Sequence, residues 1–226
     1  MSRRRLYLMR HADVAYFGSD GRPVPPADVG LTAEGEQQAA ATSEALAGLR
    51  FDRVVTSGLP RTLATARLAA PDGPEPESWH DLRELETGRL GDIPDDALKD
   101  AFLGAFRGVI PEGQRFLGGE TIGSLLDRVL PALERLVADP EWDLVLAVLH
   151  GAVNRAILSW ALTGERRFLG SLEQAPACLN VLDVDPGGWI VRAINATPYD
   201  PAHRSGRATT MERLLEQYLP YRKEGP

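Results

Sequence analysis

Residues 143 to 149 read Asp-Leu-Val-Leu-Ala-Val-Leu, an almost unbroken apolar run that stops at His150-Gly151. A short run without polar alternation is what a strand buried on both faces requires, and such strands lie inside parallel sheets covered by helices. Residues 4–10 and 52–57 are two further short apolar runs that fit the same sheet. Helix-length stretches separate them: 32–49, opened by Thr32 as N-cap, 59–70, 120–138 and 152–163. In the third, Leu125, Leu126, Val129, Leu130, Leu133, Leu136 and Val137 share one helical face, and Pro131 is expected to kink it. Near the end, Leu179 to Asp185 and Trp189 to Ile194 flank Asp185-Pro186-Gly187-Gly188, the pattern of a hairpin. The fold class expected is α/β: a three-layer sandwich whose mostly parallel sheet has an antiparallel edge and helices on both faces.

At 226 residues, with neither an internal repeat nor a Ser/Gly linker, the chain is expected to form one domain over 1–226. Hydrophobic residues at 43% and charged residues at 25% exclude a disordered chain. A net charge of -7 disfavours nucleic acid as a partner, because such binding rests on neutralising phosphates. No run approaches the roughly 18 apolar residues of a membrane span. Arg10 and His11 end the apolar run from Leu6 to Met9 before a signal-peptide core could form. The single Cys178 excludes an internal disulfide framework and a CxxC site, and a cytoplasmic protein is expected.

In open α/β sheets ligands bind at the carboxyl ends of the strands. Three strand candidates stop there at residues with phosphate chemistry: Arg10 and His11, then Ser57 with Arg61, then His150-Gly151. Arginine offers a planar fork for two phosphoryl oxygens, and histidine a nitrogen nucleophile that is largely neutral at physiological pH. A helix opening after His150 would aim the backbone N–H groups of Gly151 and Ala152 at the same anion. An alkoxide leaves poorly without a proton, so the chemistry also calls for an acid.

Leu-Tyr-Leu-Met-Arg10-His11 resembles the opening of the histidine phosphatase superfamily, which includes the cofactor-dependent phosphoglycerate mutases. Leu31-Thr32-Ala33-Glu34-Gly35-Glu36-Gln37-Gln38-Ala39 and Ser57-Gly58-Leu59-Pro60-Arg61-Thr62-Leu63-Ala64-Thr65-Ala66 are similar to its next two motifs. Leu82-Arg83-Glu84 with Gly88, Gly119-Glu120-Thr121, and His150-Gly151 with Arg155 complete six motifs in the family's order. The resemblance implies a phosphoglycerate mutase-like fold with a substrate lid over 92–117 and, beyond the matched region, a C-terminal extension over 196–226. It further implies that His11 becomes phosphohistidine, that Arg10 and Arg61 hold phosphoryl oxygens, that His150 completes the pocket, and that Glu84 donates the proton.

The activity expected is a metal-independent phosphomonoester hydrolase without a cofactor, acting on a small phosphate ester or binding inorganic phosphate, with no nucleic-acid or membrane partner. A homodimer is left open. Alternatives are a phosphoglycerate mutase-type phosphotransferase and a non-catalytic phosphoryl-binding module. The lid segment holds Asp92, Asp95, Asp96, Asp100 and Glu112 against Lys99, Arg107 and Arg115, a balance of -2, which favours a less charged ester over a phosphoglycerate. Leu98, Phe102, Leu103 and Phe106 are expected on one helix there.

The first loop departs from the family pattern. Ala12 stands for the usual glycine, Asp13 for glutamate, and Val14 and Phe17 where polar residues often touch phosphate. Ser57 and Arg155 would either touch phosphate or fix a local turn. Glu120-Thr121 reads as a helix start, His80 and His203 as packing or exposed residues, and Arg53 and Arg83 as surface charge.

Overall fold

The computed structural model describes residues 3–18, 22–25, 27–204 and 206–224. Its first half runs β1 (Arg4–Arg10), α1 (Ala33–Ala45), β2 (Arg53–Thr56), α2 (Pro60–Ala69), β3 (Glu77–Ser78), α3 (Leu98–Leu103) and β4 (Val109–Ile110). The second half runs α4 (Ile122–Ala138), β5 (Leu144–Leu149), α5 (Gly151–Thr163), β6 (Phe168–Leu169), β7 (Leu179–Asp185), β8 (Gly188–Ala196) and α6 (Thr210–Glu224). The six-stranded sheet has the order β3-β2-β5-β1-β7-β8. Its first four strands are parallel, β7 runs antiparallel to β1, and β7 and β8 form the expected hairpin.

β5 lies between β2 and β1, and its alternate residues enter different cores. Val145, Ala147 and Leu149 pack with α4 and α5, whereas Leu146 and Val148 pack with Ala39 of α1 and Ala66 and Ala69 of α2. Burial on both faces is why this strand carries no polar position after its first residues. The α/β sandwich and its antiparallel edge match the sequence expectation. Among the described residues no helix is long and apolar enough to cross a membrane.

Two local expectations need correction. α1 ends at Ala45 instead of 49, because Gly48 adopts a φ of 83°, a left-handed turn that a helix cannot contain. α4 runs as one helix through Pro131. Arg53 is not loose surface charge: at 17% side-chain exposure it pairs with Glu77 on β3 and at 2.6 Å with Asp139 beyond α4. It thereby ties the edge strand to a covering helix.

In the lid segment only residues 98–103 are α-helical, and Phe106 belongs to a separate single turn over 104–106. β4 pairs with β6 in a two-strand ribbon beside it.

Candidate active site

The first loop is held by backbone. His11 N–H donates to Leu149 O at 2.9 Å, extending the β1–β5 pairing one residue past the strand. The His11 Nδ1–H donates to the Ala12 carbonyl at 2.8 Å, and Ala12 N–H donates to Thr65 Oγ1 at 3.0 Å. The Ala12 methyl is fully buried beside Met9, Ala39 and Ala66, so alanine fills space where glycine would leave a gap. Asp13 accepts from Thr32 Oγ1 at 3.0 Å, while Thr32 Oγ1 accepts the Gly35 amide and caps α1. A Cβ on Gly35 would stand 2.2 Å from Asp13 O, which explains the glycine of that motif. Val14 bridges to Leu31, and Phe17 turns its ring into the neighbouring cavity.

Arg10, at the end of β1, and Arg61, in the first turn of α2, are both buried. Arg10 Nη1 donates to Gln174 O at 2.6 Å and Thr210 Oγ1 at 2.9 Å, and its buried Nε has no protein acceptor. The rings of His11 and His150 are 5.2 Å apart and inclined by 66°. His150 Nε2 lies 2.8 Å from Ser57 Oγ, while its buried Nδ1 has no protein partner. Burial holds both histidines well below the ordinary imidazole range, and the charges of Arg10 and Arg61 add to the effect. Both rings are therefore neutral.

Glu84 lies in the loop that follows β3. Its carboxylate accepts the Leu85 amide at 3.0 Å and the Ala152 amide at 3.2 Å, at the start of α5. Ala152 N–H, expected from the sequence to face an anion, donates here to the Glu84 side chain at the start of α5. A Cβ on Gly151 would come within 3.7 Å of both Arg10 Nε and Glu84 Oε2, so these groups converge over that glycine. Ser57 is fully buried and engages His150 and Thr62, which places it behind His150. Arg155 directs its donors to Gly151 O, Gly170 O and Glu173, holding the turn that opens α5. Burial lowers its guanidinium to about 10.

Arg128 escaped the sequence reading. From α4 it forks onto Glu120 at 2.9 and 2.8 Å and donates to the carbonyls of Asp81, Arg83 and Glu84. Glu120 thus does more than open a helix: it fixes the arginine that carries the loop of Glu84. A Cβ on Gly119 would stand 2.2 Å from Glu86 O, so the two motif loops meet backbone to backbone. Only the motif spacing hinted at this, since nothing in the sequence marks one arginine on a charged helix face. His80 and His203 are exposed, as expected.

Arg10, Arg61, Glu84, Gly151 and Ala152 line one cavity of about 660 Å³ at the carboxyl ends of the parallel strands. Arg83, Glu86, Arg155 and Glu173 also border it. Its remaining wall is largely apolar, with Phe17, Phe102, Phe106, Phe116, Met211 and Leu214 among the contributors.

Two buried arginines, two buried histidines and Glu84 at a helix start thus gather at the strand ends of a phosphoglycerate mutase-like α/β fold. The sequence pattern of the histidine phosphatase superfamily, branch 1, matches residues 6–197, and the chain belongs to that family. A Salmonella paratyphi A protein named probable phosphoglycerate mutase GpmB is 33% identical over 161 residues, covering 70% of this chain and 74% of the relative. Mycobacterial hydrolase 1 superposes with a TM-score of 0.67 at 26% identity, covering 87% of this chain and all of the other. The alpha-ribazole phosphatase of Shigella flexneri shares the fold with a TM-score of 0.65 at 24% identity, over 85% of this chain and 96% of the other.

Proposed function

We propose that this chain is a metal-independent phosphomonoester hydrolase that works through phosphohistidine. His11 Nε2 attacks phosphorus, the ester oxygen departs with the Glu84 proton, and water then attacks the phosphohistidine with Glu84 as base. Arg10, Arg61 and His150 hold the equatorial oxygens throughout. The observation that carries this reading is the neutral His11, tautomerically fixed by Ala12, in the same burial as Arg10 and Arg61. The buried Arg10 Nε, which has no acceptor among the described residues, supports phosphoryl binding, since buried donors are normally satisfied.

Hydrolysis is favoured over a phosphoglycerate mutase reaction by the cavity wall. Four arginines border it against Glu86 and Glu173, a balance of +2 while Glu84 holds the proton it donates. A phosphoglycerate with a bisphosphate donor brings far more negative charge than this balance accommodates. The single cysteine supports a cytoplasmic setting, and the whole chain would work as one domain around this site.

The test is turnover of a panel of phosphomonoesters in the presence of a chelator, with 3-phosphoglycerate assayed with and without the bisphosphate. Phosphate release without added metal is the expected result. Isomerisation of phosphoglycerate with little net phosphate release would establish the mutase instead.

A further inference from the structure

We infer that α6 and the Thr209 cap before it form the specificity wall of this site, and that the substrate is the monophosphate of a bulky apolar alcohol. The inference rests on the phosphomonoesterase reading for its chemistry, but its geometry stands apart from it.

The matched family pattern ends at residue 197, whereas α6 begins at Thr210. Thr209 and Glu212 form a reciprocal cap: Glu212 N–H donates to Thr209 Oγ1 at 3.2 Å and Thr209 N–H to Glu212 Oε2 at 2.8 Å. That cap fixes the first turn, so that Thr210 meets the guanidinium of Arg10 at 2.9 Å. At the far end Arg222 donates to Leu90 O at 3.0 Å and Ile93 O at 2.6 Å and pairs with Asp95 at 2.7 Å. Between these anchors Tyr218 is buried and stacks on Phe102 of α3 with ring centres 5.8 Å apart. The helix is thus tied at one end to a phosphate-gripping arginine and at the other to the lid segment.

Besides Thr210 it presents Met211 and Leu214 to the cavity, which Leu85, Phe102 and Phe106 also line. A phosphoryl group fills only a small part of 660 Å³, and around the remaining space apolar residues outnumber polar ones such as Arg83, Glu86 and Thr87. An alcohol portion that is polar would lose hydrogen bonds to water against the apolar part of that wall, while an apolar one gains from burial there.

The experiment compares binding of cyclohexylmethylphosphonate and methylphosphonate by calorimetry, and turnover of cyclohexylmethyl phosphate and ethyl phosphate, whose leaving oxygens are similarly basic. Wild type is expected to bind the larger phosphonate at least about tenfold more tightly. Leu214→Asn should reduce that preference by about tenfold, the usual worth of one buried leucine, and Met211→Ala by several-fold. Leu219→Ala, on the exposed side of α6, should leave it intact. Equal affinity for both phosphonates in wild type, or a preference that survives both Leu214→Asn and Met211→Ala, would overturn the inference. A retained phosphonate preference with no turnover of any ester defeats the hydrolase reading and leaves the wall standing. Turnover of both esters without preference in binding or kcat/KM does the reverse.

Discussion

The Nδ1–H of His11 is donated to the carbonyl oxygen of Ala12 at 2.8 Å. A carbonyl only accepts, so this bond settles the tautomer: Nδ1 carries the proton and Nε2 keeps its lone pair. Because the contact uses the backbone of residue 12, replacement of the usual glycine by alanine leaves it in place. His11→Ala should therefore abolish both turnover and an alkali-stable, acid-labile phosphate label. Full activity in that variant would exclude His11 as the nucleophile.

The burial that keeps His11 and His150 neutral has a cost at low pH. Their folded values lie below the ordinary one near 6.5, so below that pH the unfolded chain binds protons that the folded chain refuses. The stability gained from their neutrality is present above about 6.5 and is lost as pH falls. Each histidine contributes a loss of up to about 1.4 kcal/mol per pH unit there. Urea unfolding at pH 7.5 and 5.5 should show a smaller acid loss in His150→Gln than in wild type, by about 1 kcal/mol. Identical losses would mean that His150 titrates normally in the folded protein.

The strand-end residues were readable because their determinants are local. An apolar run that ends in Arg-His or His-Gly marks both the strand and its functional edge, and β1, β2 and β5 end within a residue or two of the expected places. Arg53 and Arg128 were not readable, because their partners lie across the fold: Glu77 and Asp139 for one, the carbonyls of residues 81, 83 and 84 for the other. The bond from Arg10 to Thr210 spans 200 positions, and no periodicity reports a contact of that kind. The end of α1 is a different case. Gly48 was visible, but that it adopts a positive φ is decided by the turn into β2.

Arg128 gives a prediction about positioning. Its fork on Glu120 and its three carbonyl acceptors hold residues 81–84, so the effect on chemistry passes through Glu84. Lysine cannot reproduce two parallel donors. Arg128→Lys should cost about 1.5–3 kcal/mol of stability, the range for hydrogen bonds to charged groups, and lower kcat more than it changes KM. In a double-mutant cycle with Glu120→Gln the two losses should be clearly non-additive. Additive losses with unchanged kcat would reduce the pair to a surface contact.

Glu84 supplies the last prediction, which depends on the leaving group. Its carboxylate is held by the Leu85 and Ala152 amides, and the carbonyl oxygen of a glutamine can still accept one of them, so Glu84→Gln should keep the loop in place. What the variant loses is the transferable proton. An alkoxide needs that proton in the transition state and a nitrophenolate hardly does, so transfer of phosphate from an alkyl ester to His11 should slow by about a hundredfold or more. The single-turnover burst of nitrophenol should be nearly unaffected. Steady-state rates are the wrong measure, because hydrolysis of phosphohistidine loses its base with both substrates. Equal slowing of the two bursts would show that Glu84 holds the phosphate or the loop without donating a proton. Glu86 would then be the acid to test, since it also borders the cavity and its own amide is fixed by Glu120 at 3.1 Å.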